Sequence, residues 1–288
     1  MRMVNRTGKA EVPQEVEVVQ ADVLNGINVT ESVSGASVIY QCVNPPYDKW
    51  PEQFPTMQTN ILNAAASVKA KLVIGENVYM YGDTNGKIIT EDLPYAASTR
   101  KGKVRAQMAL DALQSHRDGK VRVTIGRGSD FFGPYVFGSA MGDRQFGFAL
   151  KGKKVSLTGN IDLPHSFTYI NDFGKALVTL AENERSFGEA WHVPNAGPFT
   201  QREFIIKVFN ELEKEPSYSS MGKLMMQIGG LFIMEARESV EMMYEFEKPF
   251  IVDSTKFEKS FGWKATGITE AIRETVLWYR QYDKNNQD

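Results

Sequence analysis

Residues 71–134 read KLVIGENVYMYGDTNGKIITEDLPYAASTRKGKVRAQMALDALQSHRDGKVRVTIGRGSDFFGP. The stretch opens on a short apolar strand pattern, KLVIG at 71–75. A helix pattern follows from about 98 to 117 and stops at Gly119. VRVTIGR at 121–127 is a second strand pattern. Two apolar strands joined by a crossover helix predict parallel neighbours in a sheet that helices cover on both faces.

The alternation continues outward. Upstream, Arg2–Asn5, VEVVQADV with valines at 16, 18 and 19, and ASVIYQCV at 36–43 read as strands, and 55–70 reads as a helix. Downstream of residue 134 the order is less regular. EAWHVP at 189–194 reads as a strand. TQREFIIKVFNELEKE at 200–215 reads as a helix opened by a Thr200/Glu203 capping box. Asp172 reads as the N-cap of a helix at 173–182. Two further helices follow, the first ended by Gly262. The expected class is α/β: a Rossmann-like, doubly wound, mostly parallel sheet with a smaller α/β C-terminal part. Residues 1–150 form the first unit and 151–288 the second, and the two interleave.

Composition excludes several classes. The chain has 33 basic and 35 acidic side chains, a formal net charge of −2, and no basic excess to form a nucleic-acid footprint. Its single cysteine, Cys42, allows no internal disulfide and suits a reducing cytoplasm. In its strand-like run Cys42 reads as a small buried hydrophobe. The longest apolar stretch, 224–234, is broken by Gln227, Gly229 and Gly230 and is too short to span a bilayer. The N-terminus lacks the apolar segment of a secretory signal. No metal site is expected. Six of the twelve methionines fall in 221–243, suited to a flexible apolar pocket, a core face or an interface.

A doubly wound sheet that binds a dinucleotide opens with a strand, a glycine-rich turn and a helix, whose N-terminal N–H groups cradle the pyrophosphate. The only early glycine here is Gly8, within Asn5-Arg6-Thr7-Gly8-Lys9. Arg6, just past a strand, is placed either to fork onto a ribose 2′-phosphate or to sit solvated at a strand end. Asp22 could meet an adenine edge or initiate a turn.

Seven segments stand in an order that resembles the NAD-dependent epimerase/dehydratase branch of the extended short-chain dehydrogenase/reductase superfamily. They are VQADVLN, YQCVNPPY, NVYMYGDTNGKIITEDLP, RGSDFFGP, HSFTYINDFGKALVTL, GEAWHVPNAGPFTQREF and FGWKATGITEAIRETVLWYR. On this resemblance residue 1 falls in the family's second strand. The first strand, its glycine loop and the first helix have no counterpart in residues 1–288, so cofactor binding by these residues is expected to be weak or absent. The resemblance implies NADP or NAD as cofactor, with Arg6 tipping the balance to NADP. It places Asn5, Arg6, Asp22, Val23, Asn44 and Lys103 on that cofactor. It also implies a homodimer through the helices near 55–70 and 98–117.

In that family a strand-end Ser or Thr and a Tyr-x-x-x-Lys pair move a proton to or from the substrate oxygen while hydride moves. Here the Ser/Thr position falls on Asn77. Lys103 matches the lysine, but Thr99 stands where the tyrosine should. Moving the register to Lys101 puts Ala97 there. Tyr81 or Tyr95 could supply a phenol from another direction, or pack as ordinary aromatics. Asp130, Phe131 and Phe132 of RGSDFFGP, with His165, are the substrate-side candidates: a polar contact, an apolar wall, and either a structural histidine or a general acid. The implied activity is oxidoreduction or epimerase/dehydratase-like chemistry on a small-molecule hydroxyl or carbonyl. A sugar-nucleotide dehydratase is disfavoured, because Glu76 has no adjacent acid–base partner and position 77 no hydroxyl. The alternatives are a non-catalytic dinucleotide sensor and an inactive fragment.

Overall fold

The computed structural model describes residues 1–222, 225, 238 and 240–285. Most of the Met-rich stretch, Met226 and Met234 included, lies outside them, whereas Met242 and Met243 are buried.

The centre of the fold is a four-stranded parallel sheet in the order β3 (Val38–Gln41), β4 (Lys71–Glu76), β5 (Val123–Arg127) and β9 (Ala190–His192). Its strands are apolar because both faces are covered. Leu72, Ile74, Val123 and Ile125 face Ile61 and Ala65 of helix α2 (Trp50–Val68) and Ala109 and Ala112 of α3 (Arg100–Arg117). Val73 faces the other way, onto Ala176, Leu177 and Leu180 of α5 (Ile170–Glu182). Gly126 is on this second face because there is no room for more: a Cβ there would come within 2.6 Å of Leu177 Cδ2.

Upstream, β1 (Arg2–Asn5) and β2 (Glu17–Gln20) pair in parallel, followed by the short helix α1 (Val29–Ser32). These two strands form a sheet of their own, and among the described residues no strand joins β1 to β3. In a doubly wound sheet of order 3-2-1-4-5-6 the strand between those neighbours is the one that carries the phosphate-binding turn. The present order reproduces that scheme on both sides of an unpaired edge.

The remaining elements build a second core. Phe132 of β6 (Asp130–Phe132) and Phe167 of β8 (Pro164–Tyr169) pack with Phe146 of α4 (Asp143–Leu150) and Phe204 of α6 (Gln201–Glu211). β6 pairs in parallel with β8, which pairs antiparallel with β10 (Pro198–Thr200), while β7 (Val155–Thr158) pairs with β11 (Tyr218–Met221). The C-terminal helices α7 (Tyr244–Glu247), α8 (Thr255–Phe261) and α9 (Ile268–Asn285) close the chain.

The capping box at Thr200 and Glu203 forms as expected, and Gly262 ends α8 in the left-handed conformation at φ 77°. Three local expectations change. Helix α2 starts at Trp50, five residues before its expected beginning. Trp50 and Phe54 bury themselves against Met108, and that burial extends the helix past Pro55. Asp172 does not cap α5. The helix begins at Ile170, and the Asp172 carboxylate accepts hydrogen bonds from the N–H and hydroxyl of Thr266. Cys42 lies just beyond β3 and is exposed, not part of the core.

Candidate functional site

In open α/β sheets ligands bind beyond the carboxyl ends of the strands. Two polar clusters occupy that end of the sheet here.

The first is built on Arg127, the last residue of β5, whose side chain is fully buried. Its Nε pairs with Glu76 Oε2 at 3.2 Å, and its Nη1 and Nη2 donate to the hydroxyls of Tyr81 at 2.7 Å and Tyr95 at 2.5 Å. Tyr81 OH lies 2.8 Å from His192 Nε2, and His192 Nδ1 lies 3.0 Å from the Asp253 carbonyl oxygen. A carbonyl only accepts, so the His192 proton is on Nδ1. Nε2 is then the acceptor for Tyr81, whose oxygen already receives Arg127. Burial, with the Arg127 charge adding to it, lowers the His192 pKa to about 3. Every polar atom of Tyr81 is used inside the protein. Its hydroxyl thereby links two strand ends, Arg127 of β5 and His192 of β9. Tyr95 reaches Arg127 from the loop before α3.

The second cluster joins Tyr47, Tyr79 and Asp130, which follow β3, β4 and β5, to Lys101 of α3, His165 of β8 and the C-terminal Glu238, Glu241 and Glu245. Tyr47 OH donates to Tyr79 OH at 3.2 Å. The Lys101 ammonium, 1% exposed, sits 4.3 Å above the Tyr47 ring. It donates to Glu238 Oε2 and Glu241 Oε1, each at 2.6 Å, and to the Glu238 carbonyl at 3.0 Å. Asp130 Oδ2 is 2.7 Å from His165 Nε2. The His165 ring stacks on Phe246 at 5.2 Å, with 7° between the planes. Glu245, beside Phe246, is 2% exposed. Burial, then the negative charge of Asp130, raises its carboxyl well above the usual range. Burial also raises the phenols of Tyr47, Tyr79 and Tyr244, so all three stay protonated at neutral pH.

This arrangement redistributes the expected site. Lys103 is exposed on the solvent stripe of α3, in line with Gln107 and Leu110. Thr99 is not opposite it on a catalytic face. It is the N-cap of α3, its hydroxyl accepting from Gly102 N at 3.1 Å. The basic groups turned inward are Lys101 and Arg105, and Lys101 is the one paired to carboxylates. One sequence signal marks it: Met108, Ala109 and Ala112 define the buried stripe, and stepping back by three and four residues gives Arg105 and Lys101. Asn77 acts on the backbone, its Oδ1 accepting from Tyr79 N at 3.2 Å and so shaping the turn that carries Tyr79. Phe131 and Phe132 alternate along β6 and pack into different cores, Phe131 against Phe173 and Phe132 against Phe204. Only Asp130 and His165 of the substrate-side set come together. Tyr47, Tyr79, Glu241 and Glu245 join them from separate parts of the sequence.

Of the residues expected at the cofactor, Asn5 and Asp22 are used in local turns. Asn5 Oδ1 accepts from the N–H groups of Thr7 and Gly8. Asp22 accepts from the N–H groups of Leu24 and Asn25, the turn-forming alternative. Val23 packs on the α2 core, and Arg6 and Asn44 are exposed. With no strand between β1 and β3, the described residues offer no glycine turn for a pyrophosphate. They do not fit a dinucleotide held by its phosphates. Among them no cluster of three or more His, Cys, Asp or Glu could hold a metal ion, and no helix is long and apolar enough to cross a membrane.

Residues 2–193 match the NAD dependent epimerase/dehydratase family. The trifunctional UDP-glucose 4,6-dehydratase/UDP-4-keto-6-deoxy-D-glucose 3,5-epimerase/UDP-4-keto-L-rhamnose-reductase of Arabidopsis thaliana is 23% identical over 92% of this chain. The chain spans 39% of the length of that relative. Among solved structures, an epimerase from Methanothermobacter thermautotrophicus superposes with a TM-score of 0.80 at 13% identity, covering 99% of this chain and 86% of the other. The dTDP-glucose 4,6-dehydratase of Bacillus anthracis in complex with NAD gives 0.75 at 17% identity, covering 95% and 83%. The UDP-glucuronic acid 4-epimerase of Bacillus cereus in complex with NAD gives 0.74 at 14%, covering 93% and 82%.

Proposed function

The chain belongs to the NAD-dependent epimerase/dehydratase family, and from that membership we propose that it acts as an oxidoreductase on a small molecule carrying a hydroxyl or carbonyl group. The observation that carries this reading is the second cluster. Two hydrogen-bonded phenols, a buried ammonium and an Asp130–His165 pair meet beyond the carboxyl ends of β3, β4 and β5. Such groups can bind, orient and protonate a substrate oxygen. In this reading Tyr47 and Tyr79 take over the missing tyrosine's task, and Lys101 takes over from Lys103. Residues 1–150 form the cofactor-side unit, which also lends Tyr47, Tyr79, Lys101 and Asp130 to the substrate site, and 151–288 form the substrate-side unit.

The proposed cofactor is NADP or NAD, and the exposed guanidinium of Arg6 favours NADP. Because the phosphate cradle is not among these residues, no chemical step is assigned to the cofactor here. The test has two arms. Calorimetric titration of the 288-residue chain with NADPH and with NADH should show no micromolar binding. At millimolar cofactor, a panel of aldehydes and ketones should give slow oxidation of the reduced nicotinamide, lowered at least tenfold in Tyr79→Phe and in Lys101→Met, as loss of a proton donor or its anchor predicts. Cofactor binding without turnover on any carbonyl would replace this reading with a sensing one.

A further inference from the structure

Two buried polar atoms that find no hydrogen-bond partner among the described residues are neighbours in the chain: Tyr244 OH and Glu245 Oε1. A buried polar atom left unpaired costs about 1–3 kcal/mol, so such a pair calls for an external partner. Both lie in α7, one turn of chain that also stacks Phe246 on His165. The groups that act on Glu245 from the surrounding elements are the Asp130 carboxylate on β6 and three phenols, Tyr47, Tyr79 and Tyr244. Two buried cations lie on the α3 side of these phenols: Lys101, shared by the Glu238 and Glu241 carboxylates, and Arg105, whose guanidinium lies over the Trp50 and Phe54 rings.

We propose that Tyr244 and Glu245 form the selective end of the substrate pocket, binding a neutral hydroxyl or carbonyl oxygen and turning away an anionic group. A phenol can donate to such an oxygen, and a carboxyl that keeps its proton can donate as well. A carboxylate or phosphate would instead face the Asp130 carboxylate, whose negative charge disfavours a second one beside it. The raised Glu245 carboxyl and the buried phenols are consistent with a site of uncharged donors. This inference rests on reading the second cluster as the substrate site.

Dihydroxyacetone and pyruvate are carbonyl compounds of similar size, one neutral and one anionic. Saturation-transfer NMR on the 288-residue chain at pH 7 should detect dihydroxyacetone and not pyruvate. Tyr244→Phe should weaken the dihydroxyacetone interaction about fivefold, the loss of one neutral hydrogen bond. Glu245→Gln keeps a neutral donor and should retain it, whereas Glu245→Ala should lose it. Infrared spectroscopy should show a protonated carboxyl at pH 7 that disappears in Glu245→Gln. Equal or stronger pyruvate contact, contact with neither compound, or variants that leave contact unchanged would each overturn the proposal. These readouts need no cofactor. Selective dihydroxyacetone contact without nicotinamide turnover would sink the oxidoreductase reading alone, and turnover with unaltered variants would sink this one alone.

Discussion

His192 shows how a single side chain ties the site to stability. It is fully buried, neutral and held between Tyr81 and the Asp253 carbonyl. In the unfolded chain an imidazole takes up its proton near pH 6.5. In the folded protein the pKa lies at about 3. Below pH 6.5 the unfolded state therefore binds the extra proton. The stability this group contributes is complete above that pH and is lost as pH falls toward 3, by up to about 1.4 kcal/mol per pH unit. Urea midpoints measured between pH 7 and pH 4 should fall accordingly, and His192→Gln should flatten the slope by close to one proton. An unchanged slope in the variant would mean that the imidazole is charged in the fold. None of this was legible in EAWHVP, where the histidine is one of three in the chain. Its state depends first on burial and then on Arg127, 65 positions away in sequence and brought adjacent by β5–β9 pairing.

Helix α3 carries the element-scale lesson. Its existence and length follow from its sequence: the expected start at about 98 and end at 117 compare with Arg100–Arg117. Its face does not follow from matching a motif, because Tyr-x-x-x-Lys counts from a tyrosine that is absent. The buried stripe decides it, and that stripe ends on Lys101. What fixes the helix against the site is Gly102. A Cβ there would lie 2.5 Å from Ala97 Cβ and 2.6 Å from the Tyr79 carbonyl oxygen. Glycine to alanine inside a helix normally stabilises by about 1 kcal/mol. Here the sign should reverse. Gly102→Ala should lower the melting temperature and, by pushing α3 off the Tyr79 turn, weaken the Tyr47–Tyr79–Lys101 arrangement. Thermal unfolding of the variant checks this, and a melting temperature equal to or above that of the parent would show that the loop yields freely.

At the scale of the whole molecule the unpaired edges of β1 and β3 separate two parts of unequal security. The four-stranded sheet is buried on both faces, whereas in the two-stranded sheet of β1 and β2 half the residues are exposed and none is fully buried. A two-stranded sheet is marginal by itself. Native-state hydrogen exchange should therefore find the amides of residues 2–5 and 17–20 open at lower free energy than those of 71–76 and 123–127. Equal protection would show that the two sheets unfold as one unit. The order of strands and helices was readable from sequence because strand and helix periods, apolar runs and capping residues are local properties. The family segments, strung along the chain in order, added the fold. Sequence determined that there is a doubly wound α/β architecture, that Asp130 and His165 are site candidates, and that the usual tyrosine is missing. Tertiary structure alone decided which polar groups come together beyond the strand ends. Tyr47, Tyr79, Lys101, Asp130, His165 and Glu245 come from six separate segments; their contacts, and the raised phenols of Tyr47 and Tyr79 and carboxyl of Glu245, arise from burial and neighbouring charge, which only the folded packing supplies.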